Sequence, residues 1–265
     1  MHAEFAAHNT PSGLIKGAPK LVSKEASEVI PEADVIVMPL PSFTYPDTLR
    51  SIKDHLRPGQ IICVTPGQGS FDWYAREILG DDLAQQVTIL GVMPMPFNCR
   101  IEDYGTKVKV QEFKKTYTIG VSPSSKLEEC KQLVKDLFGQ AKSAGNGSFL
   151  ECTMYPINAV IHPARLYTLL SDWRPGMTLP ENPLFYEDFT SEAATMMDDI
   201  NKELIAVAKA LTRQGVRADI PHIFDWLAVY VYKEDKSSNL QRCEFPLLPF
   251  VSYADPRFSL VKLTV

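Results

Sequence analysis

Short apolar runs that alternate with amphipathic helical segments are the feature that most constrains this chain. The run Ala33–Pro41 is almost uninterrupted in its apolar character, as expected of a strand buried on both faces. Similar runs at Gln60–Thr65 and Val87–Met93 are predicted strands, and Phe71–Leu79 between them has helical spacing. Parallel neighbours need a long crossover connection, usually a helix, so this succession predicts an α/β domain built on a parallel sheet.

The remainder of the first domain is predicted to end the sheet and lead into a linker. Lys107–Val110 and Thr116–Val121 alternate apolar and polar residues around a charged turn, which predicts an antiparallel hairpin at the edge of the sheet. An amphipathic helix follows and stops at Gly139. Residues Gln140–Ser148 are small, polar and rich in glycine, which indicates a linker. We therefore expect the first domain to cover residues 1–148.

A second, all-helical domain is predicted over residues 149–265. Its longest element is Ser191–Gln214, where apolar residues recur three and four positions apart along one stripe. That stripe needs packing partners, and Tyr155–Leu170 and Ile223–Tyr232 are the expected ones. The expected result is a helical bundle, while the proline-containing residues from Lys236 onward have no clear period and receive no predicted structure.

Composition and charge exclude several classes of partner. The net charge is −5, with no run of lysine or arginine, which gives no attraction to nucleic acid or to an anionic membrane. No segment approaches the roughly 20 apolar residues that span a bilayer. The five cysteines are odd in number and widely spaced, with no C-x-x-C pair, so they are read as reduced thiols and no metal site is predicted. We expect a cytoplasmic monomer that acts on small molecules.

Sheets of this kind commonly bind a dinucleotide, and a G-x-G-x-x-G turn at a helix N-terminus binds its pyrophosphate. Two bare G-x-G pairs occur, at Gly67–Gly69 and Gly145–Gly147, and both lack the third glycine. They are interpreted as ordinary turns.

His162 is the most informative of the five histidines because it lies in NAVIHPARLY, just beyond the predicted linker. The residue before a proline is disfavoured in helical geometry and proline suits a first helical turn, so a helix is predicted to break or begin at Pro163. An imidazole with an ordinary pKa of about 6.5 can give or take a proton near neutral pH, as carbonyl chemistry requires. The alternative is a hydrogen-bonded structural histidine.

Two further side chains have functional and ordinary interpretations. Arg100 follows the third predicted strand, and its planar fork suits a substrate carboxylate, the alternative being a salt bridge to Glu102 or Asp103. Trp226, in HIFDWLAVYVY, is a core aromatic on residue chemistry alone.

Several stretches, taken in order over Leu21–Lys233, resemble the opine dehydrogenase family, the octopine type in particular. They are ADVIVMPLPSF, PGQGSF and MPMPFNCRIEDYGTKVKV in the first domain, and NAVIHPARLY, NPLFYEDFTSEAATMMDDINKE and HIFDWLAVYVY in the second. The resemblance implies a partial Rossmann-like NAD(P)-binding domain over residues 1–148 and a partial helical substrate domain over residues 149–265.

The resemblance also implies chemistry and roles. Members of this family condense an amino acid with a 2-keto acid such as pyruvate and reduce the imine with NAD(H) or NADP(H) as cofactor. His162 matches the catalytic histidine of the family, which acts on the keto oxygen and as acid and base in imine formation. The cofactor-binding positions implied are Pro41, Ser42 and Phe43, and the substrate-binding positions are Gln68, Cys99, Arg100, Asn158 and Trp226.

The departures from the family pattern leave alternatives open. Met1–Lys20 does not match the glycine-rich turn with which the family opens, and Asp255–Arg257 lies in a tail that does not match the helical domain. The sequence as written therefore resembles a fragment. The alternatives are a non-catalytic piece of the same family and a dehydrogenase of the 6-phosphogluconate or ketopantoate type, which would lack the IHPARLY and NPLFY stretches.

Overall fold

A computed structural model describes residues 5–10, 13–114, 116–139, 142–155, 157–179, 181, 183–185 and 188–230. These residues divide into two compact units, one containing 5–155 with 215–219 and the other containing 157–214 with 220–230. The boundary predicted after residue 148 stays a prediction.

No helix in these ranges is long and apolar enough to cross a membrane. Cys243, the last two residues of the predicted helix 223–232 and everything beyond them lie outside the described residues.

All the described strands belong to the first unit, together with six helices. The strands are β1 Phe5–Thr10, β2 Gly13–Gly17, β3 Val35–Met38, β4 Ile61–Val64, β5 Thr88–Met93, β6 Phe97–Asp103, β7 Lys107–Phe113, β8 Thr116–Ser122 and β9 Lys142–Gly147. The helices are α1 Ala26–Val29, α2 Tyr45–Ile52, α3 Phe71–Leu79, α4 Asp81–Ala84, α5 Leu127–Phe138 and α6 Phe149–Thr153.

A five-stranded sheet in the order β3-β4-β5-β8-β9 forms the centre of this unit. Strands β3, β4 and β5 are parallel, which confirms the sheet predicted from the apolar runs. Side chains of β4 alternate between two cores: Ile62 and Val64 pack with α2 and α3, while Ile61 and Cys63 pack with α5. Because both faces are covered, a continuous apolar run is the expected sequence pattern.

The edge hairpin predicted from Lys107–Val110 and Thr116–Val121 is wrong. β7 pairs antiparallel with β6 and parallel with β1 in a second sheet of order β2-β1-β7-β6, whereas β8 joins the central sheet between β5 and β9. Five consecutive residues of β8, from Tyr117 to Val121, are buried, so this strand is covered on both faces and is not an edge strand. The hairpin that forms is β6 with β7, closed by the turn at residues 104–106.

The prediction of a linker at Gln140–Ser148 is also wrong for residues 142–147, which the structure describes. Residues Lys142–Gly147 form β9, which pairs parallel with β8. Pairing uses the backbone, so small and polar residues can complete a sheet edge without the apolar pattern that normally reveals a strand. The second G-x-G pair therefore lies within a strand rather than in a turn, and only Gly147, at its end, has a positive φ.

The helix α6 lies directly on the central sheet, because two glycines make room for it. A Cβ built on Gly91 of β5 would stand 2.7 Å from Phe149 Cε1, and one on Gly120 of β8 would stand 2.8 Å from Phe149 Cα. Any larger residue at either position would push α6 off the sheet. The position of α6 therefore depends on this pair of glycines.

The described elements of the second unit are all helices, joined by loops, as predicted. Its helices are α7 Asn158–Leu170, α8 Ser191–Arg213 and α9 Ile223–Tyr230. α8 packs against both α7 and α9, which confirms the predicted partners of its apolar stripe. The prediction that a helix breaks or begins at Pro163 is wrong: α7 begins at Asn158, and Pro163 lies inside it. A proline near the start of a helix removes only one early hydrogen bond, so the first turns can continue through it.

Candidate functional site

The loops that follow β3 and β4 meet at the carboxyl end of the parallel sheet. The first carries Pro41, Ser42 and Phe43, all exposed, and Phe43 is 82% exposed. The second carries Gly67, Gln68 and Gly69. In open α/β sheets, ligands bind in the crevice outside the carboxyl ends of the strands, so these loops occupy the expected position for a nucleotide.

Contacts around glycine hold the second loop against its neighbours. The Gly67 N–H donates to the Val92 carbonyl at 2.8 Å, and a Cβ on Gly67 would stand 2.7 Å from the Gly91 Cα. Gly69 has φ +74° and comes so near the first loop that its Cβ would stand 3.3 Å from Ser42 Cβ. The structure therefore brings the predicted cofactor residue Ser42 and the loop of the half-buried Gln68 together.

Two hydrogen bonds that the sequence did not predict fix the geometry of these loops. Ser70, which precedes α3, has φ +55°, a conformation uncommon for residues other than glycine, and its N–H donates to Thr153 Oγ1 at 3.2 Å. The Tyr45 hydroxyl donates to the Pro66 carbonyl at 2.7 Å. Burial raises the pKa of Tyr45 to about 12, which keeps this hydroxyl protonated as a donor. No sequence signal connects Thr153 with Ser70, because the contact joins residues 83 positions apart.

Cys99 and Arg100 are adjacent on β6, in the second sheet of the first unit. Burial raises the pKa of the half-buried Cys99 thiol, and the Arg100 charge opposes that shift in part. The Arg100 guanidinium is exposed and donates to the Cys99 carbonyl at 3.0 Å. The alternative salt bridge of Arg100 is absent among the described residues, and Glu102 instead pairs with Lys107 at 3.1 Å. Arg100 is thus available to a carboxylate in solution.

His162 lies on α7 of the second unit and is partly withdrawn from water. Its ring lies 4.9 Å from the Phe185 ring, centroid to centroid, at an interplanar angle of 41°. Burial lowers the pKa of His162, so its neutral form predominates at neutral pH. Within the described ranges no hydrogen bond to its imidazole nitrogens is formed. Asn158 lies four residues earlier on the same helix face and is exposed.

Trp226 is 8% exposed on α9, whose first turn is anchored to α8 by polar contacts. The fully buried Asn201 accepts the Ile223 N–H through Oδ1 at 2.9 Å. His222, just before α9, has Nε2 3.2 Å from Asp198 Oδ1. Sequence reasoning missed Asp198 and Asn201, although two polar residues one turn apart beside the apolar stripe of α8 are a signal that could have identified them.

Arg165 is a second buried polar residue that sequence reasoning missed. It lies three residues after His162 on α7 and is only 3% exposed. Its Nε is buried, and the structure shows no hydrogen bond or ion pair to this side chain from any described residue. Within the described residues, no group of three or more His, Cys, Asp or Glu side chains could hold a metal ion.

Comparisons with known proteins find similarity to one group of dehydrogenases. Residues 145–245 match the family model described as "NAD/NADP octopine/nopaline dehydrogenase, alpha-helical domain". A tauropine dehydrogenase of Arabella iricolor is 29% identical over 86% of this chain and 59% of its own length. An opine dehydrogenase of Haliotis discus hannai is 28% identical over 77% of this chain and 51% of its own length.

A solved structure extends the comparison to three dimensions. An octopine dehydrogenase in complex with NADH and agmatine superposes with a TM-score of 0.71 and 25% identity, over 89% of this chain and 60% of the other. This chain thus spans between half and three-fifths of the length of these relatives. The Rossmann-like fold, the helical-domain match over residues 145–245 and the matched sequences agree in making this chain similar to the opine dehydrogenases.

Proposed function

We propose that this chain provides the nucleotide-binding and substrate-binding segments of an NAD(P)H-dependent opine dehydrogenase. Such an enzyme joins the amino group of an amino acid to a 2-keto acid such as pyruvate and reduces the resulting imine. The octopine dehydrogenase neighbours are complexes with NADH and L-arginine, agmatine or pyruvate, which supports this substrate class. A cytoplasmic monomer that acts on small molecules belongs to the same proposal.

The observation that carries the proposal is the state of His162. Its lowered pKa keeps the imidazole neutral, and its nitrogens make no hydrogen bond with the described residues. A neutral ring nitrogen can take the proton that the substrate ammonium must lose before it attacks the keto carbon. The same nitrogen can return that proton to the hydroxyl group that leaves when the imine forms. A structural histidine would instead be expected to use its nitrogens in fixed hydrogen bonds.

The first unit fits the nicotinamide side of a dinucleotide. Pro41, Ser42 and Phe43 are exposed at the carboxyl end of β3, and Gly69 has no side chain that would separate them from the Gln68 loop. When bound, the nicotinamide supplies the hydride that reduces the imine. The described residues contain no G-x-G-x-x-G turn for the pyrophosphate, so this fit concerns the nicotinamide end alone.

The remaining predicted residues take roles in substrate binding under this proposal. Gln68 would hydrogen-bond the amino-acid substrate, and Arg100 would attract its carboxylate. Asn158 would lie beside the substrate one turn before His162, and Trp226 would supply an apolar wall. Cys99 would contact the substrate as a neutral thiol, since its raised pKa disfavours the thiolate.

A chimera tests the proposal. The tauropine dehydrogenase of Arabella iricolor would supply the segments that this chain does not cover, and NADH or NADPH oxidation would be followed by absorbance with pyruvate and a panel of amino acids. The expected result is oxidation that requires both substrates and yields an N-carboxyalkyl amino acid by mass spectrometry. A folded chimera that binds the cofactor but forms no such product with any amino acid would contradict the proposal.

A further inference from the structure

Arg165 is an arginine in an environment where arginines are rarely found alone. It is 3% exposed, and its neighbours on the buried face of α7 are Val160, Ile161 and Ala164. Buried charges in proteins are normally paired, because removing an ion from water without a counter-charge is strongly unfavourable. No described residue hydrogen-bonds or forms an ion pair with this guanidinium. Among the described residues, therefore, this side chain has no anionic partner.

A second unsatisfied donor lies on the adjacent helix. Asn201 of α8 is fully buried, and its Oδ1 already accepts the Ile223 N–H, which assigns Nδ2 as the donor end of the amide. That Nδ2 has no hydrogen-bond partner in the part of the chain that the structure describes. α7 and α8 pack against each other. Two packed helices thus each bury a donor that needs an acceptor.

We propose that Arg165 is a carboxylate-binding residue of the helical unit and that its ligand is the carboxylate of a small 2-keto acid. This inference rests on the proposed function and adds a residue to it. Arginine is suited to the role because its fork binds both oxygens of a carboxylate. A bound carboxylate would supply the counter-charge that the described residues do not provide.

The spacing along α7 agrees with this ligand. Arg165 follows His162 by three positions, so the two side chains are neighbours on the helix surface. In a 2-keto acid the carboxylate is bonded directly to the keto carbon. If Arg165 binds the carboxylate, the keto group next to it is directed towards His162. The imidazole would then contact the keto oxygen and not a carboxylate oxygen.

The first experiment measures pyruvate binding to this chain without NADH, by saturation-transfer NMR at constant ionic strength. The variants are Arg165→Met and Arg165→Lys, and Arg213→Met on the exposed last turn of α8 is the matched control. Loss of charge-assisted hydrogen bonds should raise the Kd by about 10- to 100-fold in Arg165→Met. Arg165→Lys should lose less, and Arg213→Met should bind like the parent chain. Methyl pyruvate, which lacks the charge, should bind all four proteins weakly and equally.

Thermal unfolding distinguishes a ligand site from a structural one. If the partner is a ligand, Arg165→Met replaces an unpaired buried charge with an apolar side chain, so Tm should stay constant or rise. If the partner is a carboxylate of the protein itself, the same change would leave that carboxylate buried without a counter-charge and lower Tm. A parent chain that binds no pyruvate, or an Arg165→Met chain with unchanged Kd or a lowered Tm, would overturn the inference.

These outcomes separate the inference from the proposed function. Pyruvate binding that depends on Arg165, in a chimera that oxidises no NADH, would retain the carboxylate site and contradict the dehydrogenase. NADH oxidation with an unchanged KM for pyruvate in Arg165→Met would retain the dehydrogenase and contradict the carboxylate site.

Discussion

The contact between Phe149 and the central sheet gives the sharpest test of the fold. Gly91→Ala would place a methyl group 2.7 Å from Phe149 Cε1, which is 0.7 Å closer than the shortest ordinary contact of 3.4 Å. Gly91 has no positive φ, so alanine brings no backbone strain there and the whole effect is steric. We expect the ring to be displaced from its place on β5.

The size of the effect follows from overpacking. Inserting a methyl group into a filled core costs about 1–3 kcal/mol of unfolding free energy. In a protein of this size that lowers Tm by about 2–4 °C for each kcal/mol. Phe149→Ala alone removes a large side chain that is 7% exposed and should cost about 3–5 kcal/mol.

A double-mutant cycle identifies the contact. In Gly91→Ala with Phe149→Ala the new methyl group occupies space that the ring has left, so the pair should cost less than the two single changes together, by about 0.5–3 kcal/mol. Gly120→Ala is the matched comparison, because its Cβ would stand 2.8 Å from both Phe149 Cγ and Phe149 Cα, and Phe149→Ala removes only the first of these contacts. Gly120→Ala combined with Phe149→Ala should therefore show a smaller coupling free energy than the Gly91 pair. A Cβ on Gly17 of β2 would have no heavy atom within 4 Å, so Gly17→Ala should leave the free energy of unfolding unchanged.

The assay is urea unfolding followed by circular dichroism, with the slope checked for each variant. If the cost of Gly91→Ala adds fully to that of Phe149→Ala, the ring does not lie where the structure places it. Equal coupling for Gly91 and Gly120 would contradict the close approach of Phe149 Cα to Gly120, because that contact remains in Phe149→Ala.

Three further predictions concern single side chains. Burial lowers the folded pKa of His162 below its usual 6.5, so protonation favours unfolding, stability should fall as the pH drops below about 6.5, and His162→Gln should flatten that part of a Tm-pH curve. In a Cys243→Ser background a thiol reagent should modify Cys99 before Cys63, whose pKa burial raises to about 12, and the opposite order would refute the assigned burial. Asn201→Ala should remove the cap of α9 and cost about 1 kcal/mol in urea unfolding.

Local patterns predicted the elements whose burial is regular along the chain. Apolar spacing predicts the helices Phe71–Leu79 and Ser191–Arg213 and the three parallel strands. A helix with one buried stripe has periodic apolar residues, and a strand with two buried faces has a continuous apolar run. β9 has no such pattern: its pairing uses backbone groups alone. The partner of β7 could not be predicted either, since β1 lies about a hundred residues earlier and strand order depends on tertiary packing.

The candidate site divides in the same way. His162 and the exposed loop at Ser42 could be identified from motif and resemblance, because their residue types are recognisable in short stretches. Arg165 was missed because the proposal for it depends on burial without a partner among the described residues, which a sequence does not report. Thr153 was missed because its contact with Ser70 joins two distant elements. Such residues become visible only when contacts and burial are known.

If His162 exchanges protons with the substrate, its removal should slow turnover without disturbing the cofactor. His162→Ala would be measured in the chimera with pyruvate and its best amino acid, beside its NADH affinity and Tm. We expect kcat to fall by about 10²- to 10⁴-fold, with NADH affinity nearly unchanged and the fold intact. Near-parental turnover in a stably folded His162→Ala protein would contradict this role of His162.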